Sequence, residues 1–347
     1  MASTSRPPCS AGANGIDEGD AGGHPARAVA VRRKRGGTMP LRAMNGVRRA
    51  LPSLQTWLSS WRRRSSVSGG QPRRALFDPR KLDRRHRYAN EAVIRGLCDN
   101  AYLGDDQLLC RVLGRYKMMV DARDAGVSPH LLLDGYWEMW LTEALAGTVR
   151  RGMTVVDIGA NLGYFTLLMA DLVGASGKVH AFEPNARLTR HLRQSVTLNG
   201  FDGRVTVHEQ ALADAEAMAR LVVPADEPKN GYLLPWAQGD AEAPLHTRRF
   251  DSYPDLLAAD VVKIDADTSE QRIWQGMDAL LQQGRPLTVF LEFAADRYAN
   301  AAAFVDDILQ HGFRLAHLTL DDGIQPITKA GVLAERGDQD VMLVLTR

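Results

Sequence analysis

Cysteine is scarce. Cys9, Cys98 and Cys110 are the only three in 347 residues, too few and too scattered for a disulfide framework or a cysteine-rich zinc site. No apolar run approaches the roughly 20 residues that a membrane-spanning helix requires. The opening residues lack the apolar core of a secretory signal. A Walker-type G-x-x-x-x-G-K-[ST] loop is missing too. These absences point to a soluble protein in a reducing, cytoplasmic setting.

Apolar content is 45% and charged content 24%, ordinary for a globular chain. The net charge of +2 hides an asymmetry. Residues 1–74 hold 14 Lys/Arg and three acids, a net +11; the rest holds 29 basic and 38 acidic side chains, a net −9. Two parts with different solvent behaviour are implied.

Residues 1–37 are rich in Gly, Ala, Ser, Pro and Arg. Such a segment buries too little apolar surface to offset its ordering entropy, so 1–74 is expected to be a disordered basic extension. Within it, Leu41, Met44, Val47, Leu51, Leu54, Leu58 and Trp61 recur at three- and four-residue steps beside arginines. Over 41–61 this reads as a basic amphipathic helix. One role is peripheral membrane contact through 41–64. The other is a loosely helical tail, favoured because Pro52 breaks the stripe.

The most informative stretch is 154–170, T-V-V-D-I-G-A-N-L-G-Y-F-T-L-L-M-A. A short apolar run ends on Asp157, Gly159 and Gly163 follow, and a helical pattern starts at Tyr164. Strand, glycine turn and helix make the first unit of a nucleotide-binding α/β sheet. Glycine lets the backbone turn sharply and approach a ligand, and the helix N-terminus offers free N–H groups. The spacing is D-x-G-x-N-x-G rather than the dinucleotide G-x-G-x-x-G. An acid at the strand end repels a pyrophosphate but suits a cationic ligand.

The following pattern repeats the unit. Residues 178–183 form a second strand ending on Glu183, 20 residues after Gly163, about the offset at which an acid meets a ribose diol. Pro184 and Asn185 open a helix, and 205–209 is a third strand followed by Gln210 and Ala211, where adenine is expected. Strands at 260–265, 287–293, 313–320 and 340–345 complete the sheet, with one helix from Ile273 to Leu281 and another over 299–310. Upstream, 107–112 and 115–121 read as a hairpin around Gly114. Ser128 is expected to cap a helix whose first turn carries Pro129. A further helical segment from Gly135 carries Glu138, either folded over the ligand or solvated. The proline-rich stretch 224–244, with Tyr232 and Trp236, reads as a substrate-side loop.

Taken together, V-V-D-I-G-A-N-L-G-Y-F, H-A-F-E-P-N, the L-N-G and A-L-A-D segments and V-V-K-I-D followed by E-F resemble the FkbM family of class I S-adenosylmethionine (SAM) methyltransferases. The resemblance is strong over 135–293 and weaker to the end. It implies a Rossmann-like α/β fold: a seven-stranded, mostly parallel sheet, its last strand antiparallel, with helices on both faces. A helical and hairpin subdomain over 75–150 would precede the SAM-binding domain at 151–347. Asp157, Gly159, Asn161 and Gly163 would surround the methionine part of SAM, Glu183 and Asn185 the ribose, and Gln210 with Ala211 the adenine. The implied activity is O-methylation of a hydroxyl or carboxyl on a sugar, polysaccharide precursor or small metabolite.

Asp265, Asp267 and Glu292 are the expected catalytic carboxylates. Asp265 and Asp267 are also the candidate holders of a divalent cation, and Glu138, Tyr232 and Trp236 the candidate acceptor contacts. Lys263 is expected to be either part of this edge or a solvated strand-end lysine. One departure stands out: the family's V-E-G-x-E run is here Ala266-Asp267-Thr268-Ser269-Glu270. Threonine suits a left-handed position poorly, so a different local loop is expected, and a non-catalytic SAM-binding scaffold is the alternative function. A nucleic-acid methyltransferase fits less well. The N-P-P-[FYW] or D-P-P-[FYW] run of such amino-group enzymes is missing, and the catalytic region is net acidic. The expected partner is a small-molecule or glycan acceptor, not nucleic acid.

Overall fold

Apolar runs flanked by glycine turns become strands in the order their pattern suggests. The structure, a computed structural model, describes residues 75–224, 231–240, 243–334 and 340–347. The basic extension with its 41–64 stripe, and Pro228 in the proline-rich stretch, lie outside the described residues.

Asn100–Gly104 (β1), Gln107–Val112 (β2) and Tyr116–Asp121 (β3) form a three-stranded antiparallel sheet. The expected hairpin is its β2–β3 half; β1 is an addition. Arg87–Leu97 (α1) precedes it, and Ser128–Leu133 (α2) and Met139–Thr148 (α3) follow. Ser128 does not cap α2. The Asp124 carboxylate accepts the N–H groups of Gly126, Val127 and Ser128 instead, because two oxygens satisfy more orphan donors than one hydroxyl. The helix expected from Gly135 starts only at Met139, since Glu138 is left-handed at φ 36°.

The central sheet begins with Thr154–Ile158 (β4), Lys178–Phe182 (β5) and Val205–His208 (β6), linked by Tyr164–Val173 (α4) and Ala186–Leu198 (α5). A smaller sheet follows: Ala211–Leu212 (β7), Ala217–Val222 (β8), Tyr232–Pro235 (β9) and Leu245–Arg248 (β10), in the order β7-β10-β8-β9. Part of the expected substrate-side loop is therefore strand, because Tyr232–Pro235 pairs with β8. Val261–Ile264 (β11) and Thr288–Phe293 (β12) flank two short helices, Glu270–Gln275 (α6) and Asp278–Leu281 (α7). The single expected helix breaks at Gly276, where a Cβ would lie 2.3 Å from the Ala213 carbonyl oxygen. Ala301–Gln310 (α8), Arg314–Thr319 (β13), Gly323–Pro326 (β14), Lys329–Ala334 (α9) and Val341–Thr346 (β15) complete the described elements.

The large sheet runs β14-β13-β15-β12-β11-β4-β5-β6. The strands from β12 to β6 are mutually parallel, and β15 is antiparallel to both neighbours. The seven expected strands are present; the eighth, β14, adds an edge hairpin. Its G-I-Q-P sequence carries no strand signal, and proline is tolerated there because the strand is an edge.

Alternation divides the core. Val155 and Val179 join one hydrophobic cluster with Leu167 and Leu168 of α4, while Val156, Ile158, Val262 and Ile264 face the other with Trp274 and Phe304. Leu113, Tyr116, Leu131 and Leu141 from the 75–150 segment belong to the first cluster. Side chains on α5 and at its C-terminal cap also bond to the β3 backbone: Ser195 Oγ accepts the Met119 N–H at 2.9 Å, and Asn199 Oδ1 that of Lys117 at 3.0 Å. The preceding segment is thereby tied to the β4–β6 half of the central sheet. Among the described residues no helix is long and apolar enough to cross a membrane.

Candidate active site

The C-terminal ends of β4, β5, β11 and β12 open onto a cleft of about 670 Å³, within the range for small-ligand sites. Its position outside the carboxyl ends of parallel strands is where open α/β sheets bind ligands. Gly159, Asn161, Glu183, Asn185, Gln210 and Ala211 line it, as do Asp265, Asp267, Glu292, Glu138 and Tyr232. Asp157, Gly163 and Trp236 do not.

The glycine turn is built by close approaches. Gly159 has φ 74°, and a Cβ there would lie 1.7 Å from the Asp265 backbone oxygen. Gly163 has φ 92°, and its Cβ would meet Leu192 Cδ1 at 2.1 Å. The second glycine therefore serves helix packing rather than ligand approach. Asn161, left-handed at φ 52°, accepts the Leu162 N–H on Oδ1 at 2.7 Å and donates its own N–H to Glu183 Oε2 at 2.9 Å. This bond joins the turn to the end of β5.

Glu183 also accepts the Asn185 N–H on Oε1 at 2.9 Å. Each oxygen then retains one acceptor direction, enough for a vicinal diol. Burial pushes the Glu183 carboxyl up to about 7 despite these two bonds. Asn185 caps α5, its Oδ1 accepting from Arg187 N at 3.0 Å. Gln210 commits its side-chain NH2 group to the carbonyls of His246 and Ala211.

Asp157 is fully buried and does not line the cleft. Its Oδ2 accepts from Thr166 Oγ1 at 2.6 Å, and its Oδ1 lies 3.6 Å from Lys263 Nζ. Asp157, expected at the ligand, is buried under α4 and pairs in register with Lys263 of β11. Lys263 is 1% exposed, so it is not a solvated lysine. Its Nζ sits 2.9 Å from Asp265 Oδ2 and 5.2 Å from the Phe165 ring centroid. Burial works against its charge, yet Asp265 and Asp157 hold its pKa above the ordinary lysine range. The alternating K-I-D spacing was the available signal for this arrangement.

The opposite wall is acidic. Asp267 makes no hydrogen bond or ion pair with the described residues, and burial followed by the Asp265 charge pushes it up to about 7. Glu292 is pushed up to about 9 by burial, then by Asp265 and Asp340. Arg297 Nη1 stands 3.2 Å from Glu292 Oε2 and also pairs with Asp340. No sequence signal marked Arg297 or Asp340, which reach the cleft from separate elements. Glu270 is buried below, accepting Ala266 N–H and Tyr298 O–H at 3.1 and 3.2 Å.

Thr268 has φ 73° and Asp267 φ 37°. Both residues are left-handed, so threonine is held at this position under strain. Trp236 lies just past β9, its N–H bonded to the Met218 carbonyl and its Nε1 buried without a partner. Among the described residues no group of three or more His, Cys, Asp or Glu side chains is disposed to hold a metal ion. The divalent cation considered for Asp265 and Asp267 gains no support from this geometry.

Residues 157–315 match the model of the methyltransferase FkbM domain. A protein-L-isoaspartate O-methyltransferase from Methanothrix thermoacetophila is 30% identical over 95 residues, 25% of this chain and 45% of that protein. Its counterpart from Methanococcoides burtonii is 33% identical over 61 residues, 18% of this chain and 30% of that protein. The chain thus spans less than half the length of these curated relatives. Among solved structures, an O-methyltransferase from Bacillus cereus in complex with S-adenosylhomocysteine (SAH) is 14% identical, with a TM-score of 0.35 over 65% of this chain and 83% of that one. A SAM-dependent O-methyltransferase from Thermotoga maritima is also 14% identical, with a TM-score of 0.32 over 61% and 65%. Residues 157–315, which match the methyltransferase FkbM domain model, supply both the glycine turn and the Asp265–Glu292 wall.

Proposed function

We propose that the cleft binds SAM and directs its methyl group to an oxygen of a small-molecule or glycan acceptor. The observation that carries this reading is the glycine turn joined to Glu183 on one side and to the Asp265 backbone on the other. One side suits a ribose diol; the other presents carboxylates where a cation and an acceptor would meet. When bound, SAM supplies a methyl group on a positively charged sulfur.

The chain's own residues position and deprotonate. Glu183 and Asn185 hold the ribose end, and Ala211 with Gln210 bounds the adenine end. Asp265 stands at the join between cofactor and acceptor sides. Asp267, pushed up to about 7, is poised to take the acceptor proton near neutral pH. Glu292 and Arg297 orient the acceptor, and Glu138 and Tyr232 enclose it. Alignment contributes more than deprotonation, because methyl transfer needs an in-line approach above all. The excess of carboxylates favours a hydroxyl over a carboxylate acceptor, since like charges repel.

Calorimetry with SAM and SAH, followed by methyl release from labelled SAM across sugars and small hydroxylated or carboxylated metabolites, tests the proposal. Binding and transfer to a hydroxyl is the expected result. Binding without transfer favours the scaffold reading, and failure to bind either ligand rejects the SAM reading.

A further inference from the structure

Resting on the reading of the cleft as a SAM site, we propose that Lys263 is a positioning residue. It holds the Asp265 carboxylate at the cleft wall, so that Asp265 supplies the negative charge favouring the sulfonium cofactor over its neutral thioether product. Asp157 acts as the buried counter-charge.

The arrangement follows from the sheet. Lys263 stands opposite Asp157 in the parallel β11–β4 register, and strand alternation returns Asp265 to the same face two residues on. Three ionisable groups therefore share one side of two neighbouring strands. They differ in exposure: the side chains of Lys263 and Asp157 are 1% and 0% exposed, whereas that of Asp265 is 32% exposed. Lys263 and Asp265 both line the cleft, but of the three only Asp265 has appreciable exposure.

The distances assign the roles. A lysine needed merely to neutralise buried Asp157 would make its shorter contact there. Instead Nζ lies 2.9 Å from Asp265 Oδ2 and 3.6 Å from Asp157 Oδ1, and Asp157 Oδ1 has no hydrogen-bond partner. The shorter ion pair goes to the acid that lines the cleft. Contact with the Phe165 ring face restricts the ammonium further, as expected for a cation over an aromatic quadrupole. One lysine between two carboxylates leaves an excess of one negative charge, and the geometry places its exposed share at Asp265.

The test is the ratio of SAM to SAH affinity, measured by calorimetry on the full chain for wild type, D265N, D157N/K263M and the triple variant. D157N/K263M removes one charge of each sign, so the net charge is preserved and no buried charge is stranded. We expect D265N to lower the preference for SAM about fivefold or more, and D157N/K263M to lower it similarly. The triple variant should lose no more than D265N, because both changes act through one carboxylate. A general loosening of the fold would weaken SAM and SAH alike and leave the ratio intact. Retention of the wild-type ratio in D157N/K263M, or additive losses in the triple variant, overturns the inference. If D157N/K263M does not fold by circular dichroism, D265N decides: an unchanged ratio there overturns it as well. Wild-type protein that binds neither ligand rejects the SAM reading itself.

Discussion

A Cβ placed on Gly159 would stand 1.7 Å from the backbone oxygen of Asp265, so the glycine turn and the end of β11 form one construction. Backbone cannot yield as a flexible side chain can, and φ 74° disfavours any side chain at that position. Gly159→Ala should destabilise the protein by more than about 2 kcal/mol and weaken SAH binding with it. Chemical denaturation and calorimetry measure both; a variant of wild-type stability contradicts the packing described.

Thr268 presents the opposite case, a β-branched residue where glycine is at ease. Its φ of 73° costs about 1–2 kcal/mol relative to a relaxed backbone, part of which glycine loses again through its freer unfolded chain. Thr268→Gly should stabilise the protein by about 1 kcal/mol, read as a raised denaturation midpoint with unchanged slope. A lowered midpoint would show that the Thr268 side chain contributes more than its strain costs.

The ligand-free protein should lose stability as pH rises from about 6.5 to 9. In the folded state burial holds Glu183 and Asp267 near 7 and Glu292 near 9, above their ordinary values of 4.5, 3.8 and 4.5. The unfolded chain has released those protons below this window, so the native state binds more protons and its stability falls with pH. His208, pushed down to about 4 chiefly by burial, acts with the opposite sign, but only below about 6.5. Denaturation at pH 6.5 and pH 9 checks this. Glu292→Gln should flatten the upper part of the slope, and equal stability at both pH values would refute the assignment.

Asp267→Asn should reduce turnover about 100-fold or more with the acceptor identified by the panel, the usual range for a lost general base. The wild-type rate should rise with pH through about 7, where Asp267 titrates, and the variant should lack that limb. A normal rate in Asp267→Asn removes it from the proton transfer.

Much of the chain was legible in local pattern. Short apolar runs ending on Asp157, Glu183 and Asp265 mark buried parallel strands, because strands covered on both faces need continuous apolar residues. Gly159 and Gly163 announced the turn, and the 20-residue offset located Glu183. The edge strand β14 and the break in the helix at Gly276 were not legible, since each depends on a neighbour distant in the chain.

What the sequence by itself determined was the order of elements and which residue types gather at one sheet edge, since both follow from periodicity of two and 3.6 along the chain. Only the tertiary structure decided which acids face the ligand. Asp157 lies within β4 and Asp265 just follows β11, and the pairing of the two strands buries Asp157 against Lys263 and leaves Asp265 at the cleft. Register between strands far apart in sequence, together with the helix laid over them, assigns those roles, and no local pattern encodes it.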